Sequence, residues 1–285
     1  MIPPRFLTLL APAAALAAVL PATPAWAQAA PPVAVEANAP GYADLADLVL
    51  AAPVIADATI RSTTRLKGAD IAGLAPGMAR LYVVADVLAL IRGSGGLPPR
   101  IGYLLDVPLD ARGRVASLKK ARVLLFGRST AVPGQIQLVA PDAQLAWNPP
   151  ADARIRRIAR DAAAADAPPR LTGVGNAFHV PGALPGESET QVFLQTADGR
   201  PVSLSVLRRP GERPRWAVAL SEIVDEAAAP PAPDTLLWYR LACALPPTLP
   251  AASVATLSAT DAESAAADYR FVLDALGPCG RLRPR

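Results

Sequence analysis

Residues 80–91 read RLYVVADVLALI, and the fold turns on whether this run is a strand or a helix. As a strand it alternates Leu81, Val83 and Val87 against Tyr82, Val84 and Leu88. As a helix it gathers Leu81, Val84, Ala85 and Leu88 on one face. The flanks favour the strand. Pro76-Gly77 precedes the run and the cluster Gly93-Ser94-Gly95-Gly96 follows it, and such turn residues bound strands at this spacing. The neighbouring segments agree with that choice. Val54 to Arg65 is rich in Thr, Ile and Val, while Ile101, Tyr103, Leu105 and Val107 alternate with Gly102, Leu104 and Asp106. After the turn Asp110 to Gly113 come Val123 to Phe126 and then Gln135 to Val139, a strand that Gln144 to Trp147 continues after a Pro141-Asp142 break.

Upstream, Tyr42, Leu45, Ala46, Val49 and Leu50 fall at helical spacing, and Ala51-Ala52-Pro53 ends that turn. One short helix followed by five strands predicts an antiparallel barrel or sandwich over 42–149. The order is similar to an OB-type barrel, and the helix ahead of the first strand resembles the netrin-like variant of that fold. Downstream, 150–167 reads as an amphipathic connecting helix with Asp152 at its start and Ile155, Ile158, Ala159 and Ala162 on one face. A second, smaller β-meander is expected over 168–226, from Asn176 to Val180, Gln191 to Gln195, Val202 to Leu207 and Trp216 to Ile223; Asp198-Gly199 marks its clearest hairpin. The segment 227–285 predicts two helices, one capped by Asp234 and running to about Leu245, the other starting at Thr260 or Asp261 and stopped by Gly277-Pro278. The class is therefore α+β and β-rich.

The first 27 residues carry a basic start at Arg5, an apolar stretch from Phe6 to Leu20 and the small-x-small end Ala25-Trp26-Ala27. This is the pattern of a secretory signal, with cleavage expected after Ala27. Pro12, Pro21 and Pro24 interrupt it too often for a membrane-spanning helix. Residues 28–41 read as a flexible linker, and the mature chain is expected to be periplasmic or secreted and not to span a membrane. Export gives the cysteines their meaning. Cys243 and Cys279 are the only two, and an even count in an exported chain predicts a disulfide, here joining the ends of the helical segment.

With a single His and two Cys among 285 residues, metal centres and His-dependent catalysts are poorly supplied, and no cofactor is expected. His179, in Phe178-His179-Val180-Pro181, is the one imidazole available to a catalyst, and the bland reading is a packed or surface side chain. No serine stands in G-x-S-x-G. The glycine-flanked Ser94, with Arg92 and Arg100 nearby, lacks the lysine and the spacing of a phosphate loop. Glu187 and Glu189 are the only close carboxylates on a predicted loop, and acids two apart on one loop flank a sugar poorly.

Charge is nearly balanced. The full chain carries 28 basic and 24 acidic residues, and the excess lies before residue 150. Lys119, Lys120 and Arg122, at a turn between strands, are the candidates for an anionic envelope partner, against a plain solvated turn. So small an excess in an exported chain argues against nucleic acid.

Taken together, LADLVLAAPVIADATIRS, IGYLLDVPLDARGR, GNAFHVPGALPGESETQVFL, WAVALSEIVDEA and LLWYRLAC resemble a group of exported bacterial proteins with no assigned function. The resemblance spans most of the mature chain and implies export but no activity. The expectation is a periplasmic, non-enzymatic binding or scaffold module; the rival is an envelope hydrolase using His179 or the Glu187/Glu189 loop.

Overall fold

Among the described residues, ten strands form two antiparallel sheets, and four α-helices pack against them. The computed structural model describes residues 40–221 and 229–283. The expected signal sequence, the expected cleavage point after Ala27 and nearly all of the predicted linker lie outside the described residues.

Helix α1 (Tyr42–Ala51) leads into strand β1 (Val54–Arg65). The run 80–91 is a strand, inside β2 (Met78–Arg92), whose side chains alternate between buried and half-buried from Ala79 to Asp86. A helix would have interrupted that period-2 alternation. Strands β3 (Arg100–Pro108), β4 (Arg122–Ser129), β5 (Ile136–Leu138) and β6 (Gln144–Ala146) complete the first sheet. Its order is β3-β2-β1-β4-β5, with β6 also paired to β4. The sheet curls until Gly102 of β3 meets Gln135 beside β5 in a single parallel bridge. The result is nearly closed, the partly open barrel that the OB-type expectation describes. Ile60, Leu81, Val83, Ile101, Tyr103, Leu105, Val123 and Leu125 fill its interior.

Helix α2 (Pro149–Ala163) begins earlier than its sequence reading placed it. Pro149 and Pro150 do not end the preceding region; they open the helix, because a first-turn proline lacks only an N–H that had no partner anyway. Asn148, rather than Asp152, caps it by accepting the Ala151 N–H at 2.8 Å.

The second sheet is a meander of β7 (Leu171–Pro181), β8 (Ser188–Thr196), β9 (Val202–Arg208) and β10 (Arg215–Ala219), in the order β10-β9-β8-β7. The last strand is shorter than the expected Trp216 to Ile223, and Ile223 itself lies outside the described residues. Helix α3 (Leu236–Ala242) is also shorter than expected, and Thr235 caps it in place of Asp234 by accepting the Trp238 N–H. Asp234 has a positive φ of 58° and turns the chain just before that cap. Helix α4 (Ala259–Leu276) is capped by Ser258 and stopped at Gly277, whose φ of 71° suits a glycine.

One large core joins these parts. Outward-facing Ile55, Leu124 and Phe126 of the barrel meet α1 and α2, and the same cluster continues through Val192, Leu204, Val206 and Trp216 of the meander to Tyr269 and Val272 of α4. The disulfide Cys243–Cys279 ties the end of α3 to the segment after α4, with Cα atoms 4.9 Å apart. From there the chain crosses α1. Buried Asp44 accepts the backbone N–H groups of Leu282 and Arg283, both at 2.9 Å, and Asp47 holds the Arg281 guanidinium through two bonds. Among the described residues no helix is long and apolar enough to cross a membrane.

Candidate functional site

Strand alternation sorts the meander's side chains onto two faces. On the inner face, Ala177 of β7, Val192 and Leu194 of β8, and Leu204 and Val206 of β9 are buried in the core. Following each strand to the same end, the inner positions become polar: His179, Thr190, Ser188 and Arg208. His179 stands opposite Thr190, and Ser188 opposite Arg208, in the strand register. Helix α4 completes the cluster. Its buried stripe of Ala265, Tyr269, Val272 and Leu276 also contains Asp268, which is 1% exposed.

Asp268 is the hub. Its Oδ1 accepts the Arg208 Nε–H at 2.6 Å, with Nη2 also at 2.6 Å, and its Oδ2 accepts the Thr190 hydroxyl at 2.5 Å. Since the single Thr190 proton goes to the carboxylate, the Thr190 oxygen accepts from His179 Nδ1–H at 2.8 Å. This chain assigns the tautomer and leaves Nε2 as the acceptor on the ring. His179 and Asp268 line an open cleft of about 460 Å³ with Ser188, Ser264, Glu187 and Arg208. Buried groups of this kind are either a supported base or a polar clamp, and the hydrogen bonds decide which. Thr190 is fully buried, and both Asp268 oxygens are engaged within the protein. The cluster thus holds α4 onto the sheet first, and offers one ring nitrogen second.

The two acids singled out from the sequence separate. The Glu187 carboxylate accepts the Leu184 N–H at 3.4 Å within the β7–β8 loop, and Glu187 lines the His179 cleft. Glu189 is exposed in β8, opposite Val180 and Leu207. The three basic candidates also part company. Lys119 and Lys120 are exposed on their turn, where the Lys120 N–H donates to the Ile60 carbonyl. Arg122 instead makes two bonds to buried Asp57, at 2.9 and 2.6 Å, and lies 3.7 Å over the Trp147 ring. In the glycine run, Arg92 donates to the Val49 carbonyl and Arg100 to Asp86.

No family profile and no curated protein matches this chain.

A second concavity lies on the barrel wall, where one bridge joins β3 to β5. It is a groove of about 790 Å³, lined by Tyr82, Leu104, Arg128, Gln135, Gln137 and the Arg80–Asp106 pair. Arg80 and Asp106 face each other across β2 and β3 with bonds of 2.8 and 2.9 Å. That guanidinium, ahead of burial, keeps the Asp106 carboxyl below the ordinary carboxylate range. Leu104 is 50% exposed. Tyr82 lies over Gly102, where an added Cβ would stand 2.1 Å from its hydroxyl, so the glycine is what lets the ring lie flat along the groove. The sequence reading assigned Tyr82 and Leu104 to strands and no further. Their signal was present, as outward positions of two adjacent alternating strands, but the concavity depends on β5 arriving beside β3.

Proposed function

We propose that the protein is an exported, non-enzymatic binding module that takes a polar polymer of the cell envelope, of saccharide character, in the barrel groove. The observation that carries this reading is the lining of that groove. An aromatic ring held flat, an exposed leucine, two glutamines and a paired arginine and aspartate offer an apolar platform beside donors and acceptors in both directions, the mixture that orients a ligand with one apolar face and many hydroxyls. The disulfide supports an oxidising compartment. The test is retention of purified protein on cell-wall polysaccharide, with Tyr82→Ala and Gln137→Ala expected to weaken it about tenfold, on the order of 1.4 kcal/mol. Equal retention of both variants and the parent protein would remove the groove from the reading.

One observation favours the second reading, a hydrolase. The Asp268–Thr190–His179 chain fixes a ring tautomer beside a cleft that holds two serines, as a general base requires. A steady hydrolysis of an activated ester that disappears in His179→Gln would favour this reading over the first.

A further inference from the structure

At the opposite end of β7 from His179, a smaller cleft of about 330 Å³ is lined by Arg170, Arg240 and Arg281 with Thr172, Tyr239 and Cys243. Three guanidinium groups converge here from three parts of the chain. Arg170 precedes β7, Arg240 stands in the last turn of α3, and Arg281 belongs to the segment that the disulfide brings across. Only Arg281 has an acid, Asp47, at 2.5 and 2.9 Å. Among the described residues, no carboxylate pairs with Arg170 or Arg240.

Arg240 is the informative one. Its Nε is buried and has no hydrogen-bond partner, and a buried charged donor left in that state destabilises the fold until something accepts from it. Burial holds its guanidinium below the usual arginine range; the neighbouring Tyr239 opposes that, and the like charge of Arg170 adds to it. Two cations therefore stand in the lining of one cleft with no carboxylate partner among the described residues. Proteins that gather arginines in this way do so for anions with several acceptor oxygens, carboxylate or phosphate, since each guanidinium presents several N–H groups in one plane.

We infer that this cleft is an oxyanion site that binds a phosphate group between Arg170 and Arg240, beside the Arg281 that Asp47 already holds. Orthophosphate and the phosphodiester of a lipid headgroup offer the same oxygens. The site is independent of the barrel groove and of the polymer assigned to it.

The experiment has two arms at fixed ionic strength: calorimetric titration with inorganic phosphate, and sedimentation with phosphatidylglycerol vesicles in a phosphatidylcholine background. The expected result is saturable binding in at least one arm, weakened tenfold or more in Arg240→Gln and severalfold in Arg170→Gln. Lys119→Ala/Lys120→Ala should bind as the parent does. Binding in the phosphate arm assigns the free anion, and binding to vesicles alone assigns the headgroup. Arg170 is exposed, so its variant keeps the test informative if Arg240→Gln folds poorly. Absence of saturable binding in both arms, or equal binding by the parent and both arginine variants, overturns the assignment.

Discussion

The two ends of strand β7 carry clefts made from similar materials with opposite electrostatics. At the Pro181 end, one arginine, one aspartate, one threonine and one histidine satisfy one another, and the buried carboxylate has a partner on each oxygen. At the Arg170 end, two arginines stand without an acid among the described residues, and one has a buried N–H with nothing to donate to. The lesson is that buried charge alone does not mark a binding site. A closed network strengthens the fold, whereas an open one leaves its charges for a ligand to complete.

Each of the following measurements bears on that contrast. The largest effect belongs to the disulfide, whose Cys243 lines the arginine cleft. Cys243→Ser/Cys279→Ser should lose about 3–4 kcal/mol in urea unfolding, from the chain entropy of the loop it closes. The single His179 resonance should stay in place while phosphate binding falls; a shifted His179 signal would mean that the two ends are one site. Next, Asp268→Asn should cost about 2–3 kcal/mol, less than a fully buried pair because Arg208 is 37% exposed. An unchanged midpoint would break the account of that end as a clamp. Alkaline titration comes third. Burial, and then the neighbouring Asp47, push Tyr239 up to about 12 from 10.0. A folded-state value above the unfolded one contributes stability that is fully present below pH 10 and is lost as pH rises towards 12. The unfolding midpoint should fall over that window, and Tyr239→Phe should flatten the fall. The smallest effect is a reversal of sign. Without added anion, Arg240→Leu should stabilise the protein by about 0.5 kcal/mol, because it removes an unsatisfied buried charge, whereas Arg208→Leu should destabilise it by strandingAsp268 without its cation. Two losses of equal size would erase the contrast.

Much of the barrel was legible from residues alone. Thr, Ile and Val in β1, the alternation of β2 and β3, and the turn residues around them locate strands whose inner and outer faces follow from period 2. The cysteine pair was legible from its even count and from the expectation of export. The ends of elements were less so, because the first-turn role of Pro149 and the capping hydroxyl of Thr235 are roles that several nearby residues could have supplied. The polar cluster was the hardest to read. The sequence neighbours of His179, Phe178 and Val180, point to the other face of the sheet, and its partners come from β8 and from α4, 11 and 89 positions away. Only an aspartate on the apolar stripe of α4 and an arginine continuing the inner alternation of β9 gave notice of them. Arg240 carries a comparable trace, a charge inside LLWYRLAC, yet its lack of an acid is a property of the assembled neighbours.

The attachment of residues 281–283 to α1 has a consequence for the order of assembly. Asp44 can be buried only when the backbone N–H groups of Leu282 and Arg283, 238 and 239 positions further along, are in place to meet it. Contacts of that separation close late, since the loop entropy must be overcome before the reward arrives. Until then the cost of burying Asp44 opposes the docking that Leu45, Leu48 and Val49 of the same helix favour. The far end of the chain is thereby part of what lets the first helix bury its apolar face in the core shared with the meander.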